Sequence, residues 1–427
     1  MKSYLNLFIA AVMLIMIGCS PEVDDKFDVK ASERVDKVIN DYKSMLTDCE
    51  YGWAMDYYPG GSNLIYGGFA LTMKFSKDGL VEVRSSFSGN PDDSAVSLYA
   101  FGRDMGATLN FVTYNRLFNV FSDPDLNIGE GISKGMLGDY EFQLGKVNGP
   151  DSFSMKGKKH RAVIRMHKLD MPPEDYIAKA IEQKRSYMEV PAVSGISGEI
   201  NGKKISGEIL NPQRFLLTDT EGNSVEVPFM FTAEGSKLYM PFTLAGETVE
   251  SLVWDASQRS FTDEKGLMRL ELLADPLGLT VEELLGNYRL TSGFGQDVTV
   301  RIVREENEIL LKDLLPVDIK LKYNFRRGAL ELRTQVLQES GPEVRLCMWD
   351  SDVDWLDWGN FNLGMITKWN GDNDNFVLTF EHNGAKWAND NGPLRAVSFI
   401  LWNYSAGRTW HGWGEGRYTY PVLTRIN

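Results

Sequence analysis

Between Ala31 and Thr47 the apolar positions recur at helical spacing. Val35, Val38, Ile39, Tyr42, Met45 and Leu46 fall at offsets 0, 3, 4, 7, 10 and 11, which places them on one face of a helix. Ser32 suits the N-cap and Glu33 the first turn. The stripe needs something to pack on, so the helix is predicted to dock on the first β-module. From Tyr51 the period shortens, and glycines, aromatics and β-branched residues take over. Phe75–Val83, with Asp78-Gly79 at its centre, predicts a hairpin. Leu217–Val227 about Glu221-Gly222, Phe231–Met240 about Gly235, and Asp151–Met166 about Gly157 follow the same form. A second helix is predicted over Pro172–Met188, with prolines at its start and Ile177, Ala180, Ile181 and Lys184 as its stripe; Pro191 marks its end. Thr280 with Glu283 three residues on is a capping-box sequence opening a short third helix to Leu285. Short strands with glycine turns point to antiparallel sandwiches or barrels.

The first residues follow a different pattern. Leu5 to Ile17 is apolar except for Asn6. That run is shorter than the ~20 residues of a bilayer-spanning helix and fits the core of a secretory signal, with Lys2 as its positive start. It ends in Met16-Ile17-Gly18-Cys19, which is similar to a bacterial lipobox: a small residue before the cut and a thiol after it. Cys19 is therefore expected to carry a diacylglycerol. Two or three acyl chains anchor a protein stably, which one chain does not. Ser20–Lys26 (SPEVDDK) is a short acidic cluster that resembles the signal sending such lipoproteins to the outer face of the outer membrane.

At 427 residues the chain has room for two or three domains. The division expected is 1–18 signal peptide, 19–30 lipid-anchored acidic tether, 31–190 N-terminal helix plus β-module, 191–275 middle β-module and 276–427 Trp-rich C-terminal module. Charged residues are 24% and hydrophobic ones 43%, with a net charge of −14. These values exclude a disordered or multi-span membrane chain. The acidic balance argues against nucleic acid, which is bound through Lys and Arg on phosphates. Cys19, Cys49 and Cys347 are the three cysteines, too few for a disulfide framework. Cys49 and Cys347 are expected as buried free thiols.

Several segments carry a family resemblance. They are Phe27-Asp28 with Ala31–Arg34, Tyr51-Gly52-Trp53 with Tyr57-Tyr58-Pro59, Thr113-Tyr114-Asn115 with Phe121–Pro124, Gly138–Phe142, and Lys156–Lys159. Together they resemble a Bacteroidetes lipoprotein family built on a domain of unknown function, whose genes sit beside starch-utilisation-type outer-membrane uptake systems and secreted zinc peptidases. The resemblance implies a location and a context and brings no catalytic residue with it. Leu285–Thr291, following the short helix, looks like the opening of lipocalin-like bacterial barrels. The fold expected is thus mainly β with a few helices (α+β), built of antiparallel β-sandwich or lipocalin-like barrel modules with an N-terminal docking helix.

Catalytic motifs are missing from the sequence. There is no His-Glu-x-x-His, no Gly-x-Ser-x-Gly and no P-loop. His160 and His167, two of four histidines, are seven apart and would face opposite sides of one strand. Asp350, Asp352 and Asp354 match the first acids of an EF-hand loop, but Trp355 and Phe361 stand where Gly and Glu are needed. A calcium ion on these three aspartates, outside the EF-hand form, is left open; no other cofactor is expected. Eight of ten tryptophans lie between Trp349 and Trp413. Trp355, Trp358, Trp410 and Trp413, beside glycines and acids, suit a platform for a glycan or peptide. The competing reading is that large aromatics fill and seal a barrel. The sequence thus points to a surface-exposed outer-membrane lipoprotein that binds a ligand or serves a nutrient-uptake transporter complex, without catalysis. The alternatives are a glycan or peptide hydrolase with dispersed acids, and a structural scaffold of an uptake complex.

Overall fold

The computed structural model describes residues 31–124, 135–147, 149–275, 277–305, 308–338, 343–357, 359–403, 408–409 and 416–426. Helix α1 (Ala31–Thr47) forms where the first stripe predicts it. Its docking rests on the C-terminal half. Tyr42 and Leu46 are buried in the first core; the Tyr42 hydroxyl donates to the Gly145 carbonyl at 3.0 Å. The Leu46 carbonyl accepts from Trp53 Nε1 at 3.3 Å. Val38, on the same stripe, is exposed.

The first module is a closed antiparallel barrel of eight strands: β1 (Trp53–Tyr57), β2 (Phe69–Phe75), β3 (Leu80–Ser85), β4 (Ala95–Arg103), β5 (Ala107–Phe111), β6 (Glu141–Val147), β7 (Ser152–Gly157) and β8 (Val163–Lys168). Each strand pairs with the next, and the register Trp53↔Lys168 to Asp56↔Arg165 closes β1 on β8. Alternation along β1 sends Trp53, Met55 and Tyr57 inward and Ala54 outward. Eight strands enclose a space just wide enough for side chains. Here Trp53, Phe118, Phe142 and Phe153 help to fill it, with Trp53 and Phe153 edge to face at 5.2 Å.

Helix α2 (Pro173–Met188) follows, with Pro172 at its N-cap and Glu174 and Asp175 in the first turn. Tyr176, Ile177 and Ala180 pack against the outer wall of the barrel at Ala54, Tyr58 and Ala70, and against Met230 of the next module. That module comprises β9 (Val193–Ile200), β10 (Lys203–Asn211), β11 (Arg214–Asp219), β12 (Ser224–Thr232), β13 (Gly235–Leu238), β14 (Phe242–Leu244), β15 (Glu247–Val249), β16 (Val253–Asp255), β17 (Ser260–Thr262) and β18 (Met268–Ala274). Eight of these strands make one sheet in the order β13-β12-β11-β10-β9-β18-β17-β16, and β14 with β15 form a separate hairpin. Barrel and sheet meet through backbone. Gly68 N donates to the Phe229 carbonyl at 3.0 Å, and the Gln213 side-chain amide donates to the Gly68 carbonyl. A Cβ on Gly68 would lie 2.5 Å from the Tyr58 ring, and Gly67 has φ +69°. Only glycine allows this approach at both positions.

The third module opens with α3 (Val281–Leu284), capped by Thr280 and Glu283 in the predicted capping box. Its strands are β19 (Gly286–Thr291), β20 (Asp297–Glu305), β21 (Glu308–Lys312), β22 (Ile319–Asn324), β23 (Ala329–Arg333), β24 (Gln335–Gln338), β25 (Val344–Asp350), β26 (Trp355–Asp357), β27 (Gly364–Trp369), β28 (Val377–His382), β29 (Ala388–Asn389), β30 (Gly392–Pro393), β31 (Ser398–Asn403), β32 (Arg408–Thr409), β33 (Arg417–Thr419) and β34 (Val422–Ile426). A second closed barrel runs β19-β20-β21-β22-β23-β27-β28-β34; β24, β25, β31 and β32 form a side sheet that β26 and β33 extend. The fold is mainly β with antiparallel sheets and closed barrels, as expected. Cys49 and Cys347 are free thiols, the first half-buried and the second buried.

Tyr187, near the end of α2, is the hub of the middle core. Its ring lies 5.2–6.3 Å from those of Phe229, Phe231, Trp254, Phe261 and Phe325. Its hydroxyl is buried without a hydrogen-bond partner among the described residues. A lone buried hydroxyl costs stability, whereas the ring contributes it. Tyr187→Phe is therefore expected to raise the unfolding free energy by about 1 kcal/mol, and Tyr187→Ala to lower it by about 3–5 kcal/mol. Urea unfolding of the two variants checks both signs.

Candidate functional site

Of the residues that the sequence singles out, Cys19, Trp358, Trp410 and Trp413 lie outside the described residues. Trp355 is 47% exposed at the start of the short strand β26, opposite Asp350. Trp349 is buried, its ring 6.3 Å from Phe294, while Trp369 and Trp387 are partly buried against the second barrel's core. The three aspartates share one turn, but each turns to its own partner. Asp350 is buried and accepts from Asp352 N at 3.2 Å and Arg395 N at 2.8 Å. Asp352 accepts from the Tyr420 hydroxyl and faces Arg395 Nη2 at 3.4 Å. Asp354 accepts from Trp349 Nε1 at 3.1 Å. These bonds build the connection between β25 and β26. Among the described residues no group of three or more His, Cys, Asp or Glu is placed to hold a metal ion.

The geometry suited to a ligand lies elsewhere, at the seam where the two barrels meet α2. A cavity of about 290 Å³ opens there, close to the lower end of the ~300–1,000 Å³ of small-molecule sites. The first barrel contributes the turn after β3, with Ser86, Phe87 and Gly89. The last turns of α2 contribute Ile181, Lys184, Arg185 and Met188, followed by Glu189. The third module contributes Val281, Arg304, Ile309 and Tyr323. Most of the wall is apolar. Tyr323 has its hydroxyl turned to the Leu279 carbonyl at 2.8 Å and offers its ring.

The charges around the cavity are not equivalent. Arg304 is held between Glu189 and Glu282, each at 3.0 Å. Arg185 pairs with Glu182 one turn back. Lys184 has no carboxylate partner among the described residues. Its ammonium lies 5.3 Å from the centre of the ring of Phe69, a member of the first barrel's core at the start of β2, and Phe87 packs edge-on against Phe69 at 5.6 Å. A cation over an aromatic face gains some attraction, but less than a carboxylate supplies. Burial pushes the Lys184 ammonium down to about 8, and the like charge of Lys322 adds to the effect.

A second polar group sits at the other seam, between the first barrel and the middle sheet. Asp56 on β1 is buried, with Lys237 Nζ at 2.8 Å and His167 Nδ1 at 4.0 Å. Burial holds the His167 imidazole below its ordinary value, against the opposing charge of Asp56. Tyr176 Oη is buried nearby without a hydrogen-bond partner among the described residues. Of these residues the sequence marked only His167, as one of two histidines seven apart, and Lys184, as one member of a helical stripe; Asp56 stands in a strand that reads as sheet packing. A lysine on an otherwise apolar stripe was the available signal.

Two closed barrels, an intervening sheet and a cavity at the barrel–helix seam define a multi-module, mainly β protein. The chain belongs to the family described as a domain of unknown function (DUF4302), whose model matches residues 23–256. A second model, also a domain of unknown function (DUF4987), matches residues 279–402. The cavity lies between the parts of the chain that the two models cover. No curated protein matches the chain by sequence. Among solved structures, the DNA polymerase III beta chain of Streptococcus pneumoniae TIGR4 is 8% identical over 92% of this chain and 98% of that one, with a TM-score of 0.10, a value that carries no argument about fold or activity.

The depressed Lys184 has a consequence for stability. In the unfolded chain the ammonium titrates near ~10.4, above its folded value of about 8. Between those pH values the unfolded chain holds a proton that the folded chain has released, so stability rises with pH across that window. Below it, the buried charge opposes folding. Lys184→Met is expected to be more stable than the parent at pH 7, with the gap closing as pH rises to 10. Urea unfolding of both proteins at pH 7, 8, 9 and 10 checks this; a gap that stays constant would show that Lys184 is not desolvated.

Proposed function

We propose that this protein is a lipid-anchored accessory protein on the outer membrane's surface that captures a small ligand for a nutrient-uptake system and does not itself catalyse a reaction. The observation that carries the binding part is the cavity between the two barrels and α2, walled by apolar side chains from three separated stretches of chain. Ligand sites favour such interfaces between modules, with an apolar wall and few polar groups. The anchoring part is supported by the lipobox at Met16–Cys19 and the acidic tether after it. The uptake context is supported by the family resemblance. In this reading the tether holds the barrels clear of the membrane, and the ligand enters at the seam rather than through a barrel mouth.

Two measurements test the two parts separately. Cys19→Ser, expressed in a Bacteroidetes host, is expected to lose acyl labelling and to leave the membrane fraction; retention in the membrane would overturn the anchor. The neutral apolar fluorophore N-phenyl-1-naphthylamine is expected to bind the purified chain saturably, at one site. Met188→Trp, which places a larger side chain in the cavity, is expected to weaken that binding about tenfold or more with the unfolding midpoint kept. Absence of saturable binding, or indifference to Met188→Trp, would remove the cavity as the site.

A further inference from the structure

The geometry points to a ligand with one anionic head, a monocarboxylate on a compact apolar body, for which Lys184 is the counter-ion. This rests on the binding reading above and gives that site a ligand class.

Three observations converge on it. The first is the wall. Phe87, Ile181, Met188, Val281, Ile309 and the Tyr323 ring line the cavity, so the body of the ligand meets hydrocarbon and aromatic surface. Such surface gains from an apolar partner in proportion to the area that it covers. The second is the charge inventory. Arg304 is shared between Glu189 and Glu282, and Arg185 is taken by Glu182. Lys184 alone of the basic residues lining the cavity lacks a carboxylate among the described residues, and Phe69 gives it only a ring face. The third is its setting. Lys184 is half-buried on the helix that both barrels flank. An ammonium withdrawn from water without a counter-charge is costly, and an opposite charge brought to it relieves that cost.

The same inventory limits the head group. A phosphate monoester carries about two charges and is best met by a fork of donors, commonly Arg. Here both arginines are engaged, and one amine remains. A single carboxylate matches one amine in charge and in reach. A ligand cation is disfavoured twice over, by Lys184 itself and by the neighbouring Lys322. An uncharged ligand would fill the wall but leave the amine as it is.

The test uses decanoate, with decanol and decylamine as the uncharged and cationic counterparts of the same chain length. Each displaces N-phenyl-1-naphthylamine from the full chain. Decanoate is expected to displace the probe at a concentration about tenfold below decanol, as a charge-assisted contact would give, and decylamine is expected to be the weakest. Lys184→Met is expected to erase the acid-over-alcohol preference while still binding the probe; Lys184→Arg is expected to keep it. A second readout needs no displacement. With the lysines reductively ¹³C-methylated, saturating decanoate is expected to move the Lys184 titration upward, toward that of an ordinary amine. Equal potency of decanoate and decanol on the parent protein, or a preference that survives Lys184→Met, would overturn the anion inference and leave the cavity as a binding site for neutral apolar molecules. Failure of the probe to bind at all would instead overturn the binding reading and this inference with it.

Discussion

Helix α2 has to hide apolar side chains on several sides at once, and the arrangement of the modules depends on that requirement. Tyr176, Ile177 and Ala180 are covered partly by the outer wall of the first barrel and partly by Met230 of the middle sheet. Two turns later Tyr187 enters the middle core, where it also touches Phe325 from the third module. One 16-residue helix thus contacts all three modules. A closed barrel has no sheet edge to offer a neighbour, so barrels can join only through side chains on their outer walls and through loops. Helix α2 supplies the complementary surface. The glycine approach at Gly67 and Gly68 and the Phe325 carbonyl that accepts from Val193 N at 3.1 Å then fix the modules at close range.

Filling the barrels has a chemical consequence. An eight-stranded barrel of this kind can hold a small ligand only if its interior is left partly empty. In the first barrel that space is taken by Trp53, Met55, Tyr57 and the phenylalanines around them. Polar and ligand chemistry is therefore displaced to the seams. At one seam Asp56 and Lys237 neutralise each other. At the other, Arg304 and Arg185 have acids and Lys184 has none among the described residues. The two seams thus differ: one pairs its buried acid with a lysine, and the other keeps a lysine that the proposed reading assigns to a ligand.

How much of this was legible in the sequence follows from the range of the interactions. The hairpin at Asp78-Gly79, the capping box at Thr280 and Glu283, and the proline start of α2 are local signals, and each produced its element. Barrel closure is not local. Nothing in the period of Trp53–Tyr57 says that its partner is Val163–Lys168, because alternation specifies a face and not a neighbour. The α1 stripe illustrates the same limit: its spacing is uniform, yet Tyr42 and Leu46 are buried while Val38 is exposed. Lys184 was visible on its stripe but had no meaning without the third module, since Ile309 and Tyr323 are brought to it only by the packing of separate domains. The tryptophan cluster shows the converse. Composition made it conspicuous, and the members placed in the structure are scattered: Trp369 and Trp387 pack partly buried against the second barrel's core, Trp349 and Trp402 join a small cluster with Cys347 and Ile400, and Trp355 is exposed.

The chain carries a net charge of −14, and the inferred ligand is an anion. The two are compatible because they act at different distances. A field from the whole surface is screened over about 8 Å at physiological salt, so it slows the approach of an anion without altering its contact with an amine inside a low-dielectric cavity. Steering and holding are then separated. Small hydrophilic anions feel the repulsion and gain nothing from the wall, whereas an apolar body recovers its loss on approach by covering Phe87, Ile181 and Ile309. On the proposed reading, an acidic chain whose pocket holds one amine without a carboxylate partner among the described residues favours amphiphilic anions over inorganic ones, because only the former gain from the apolar wall.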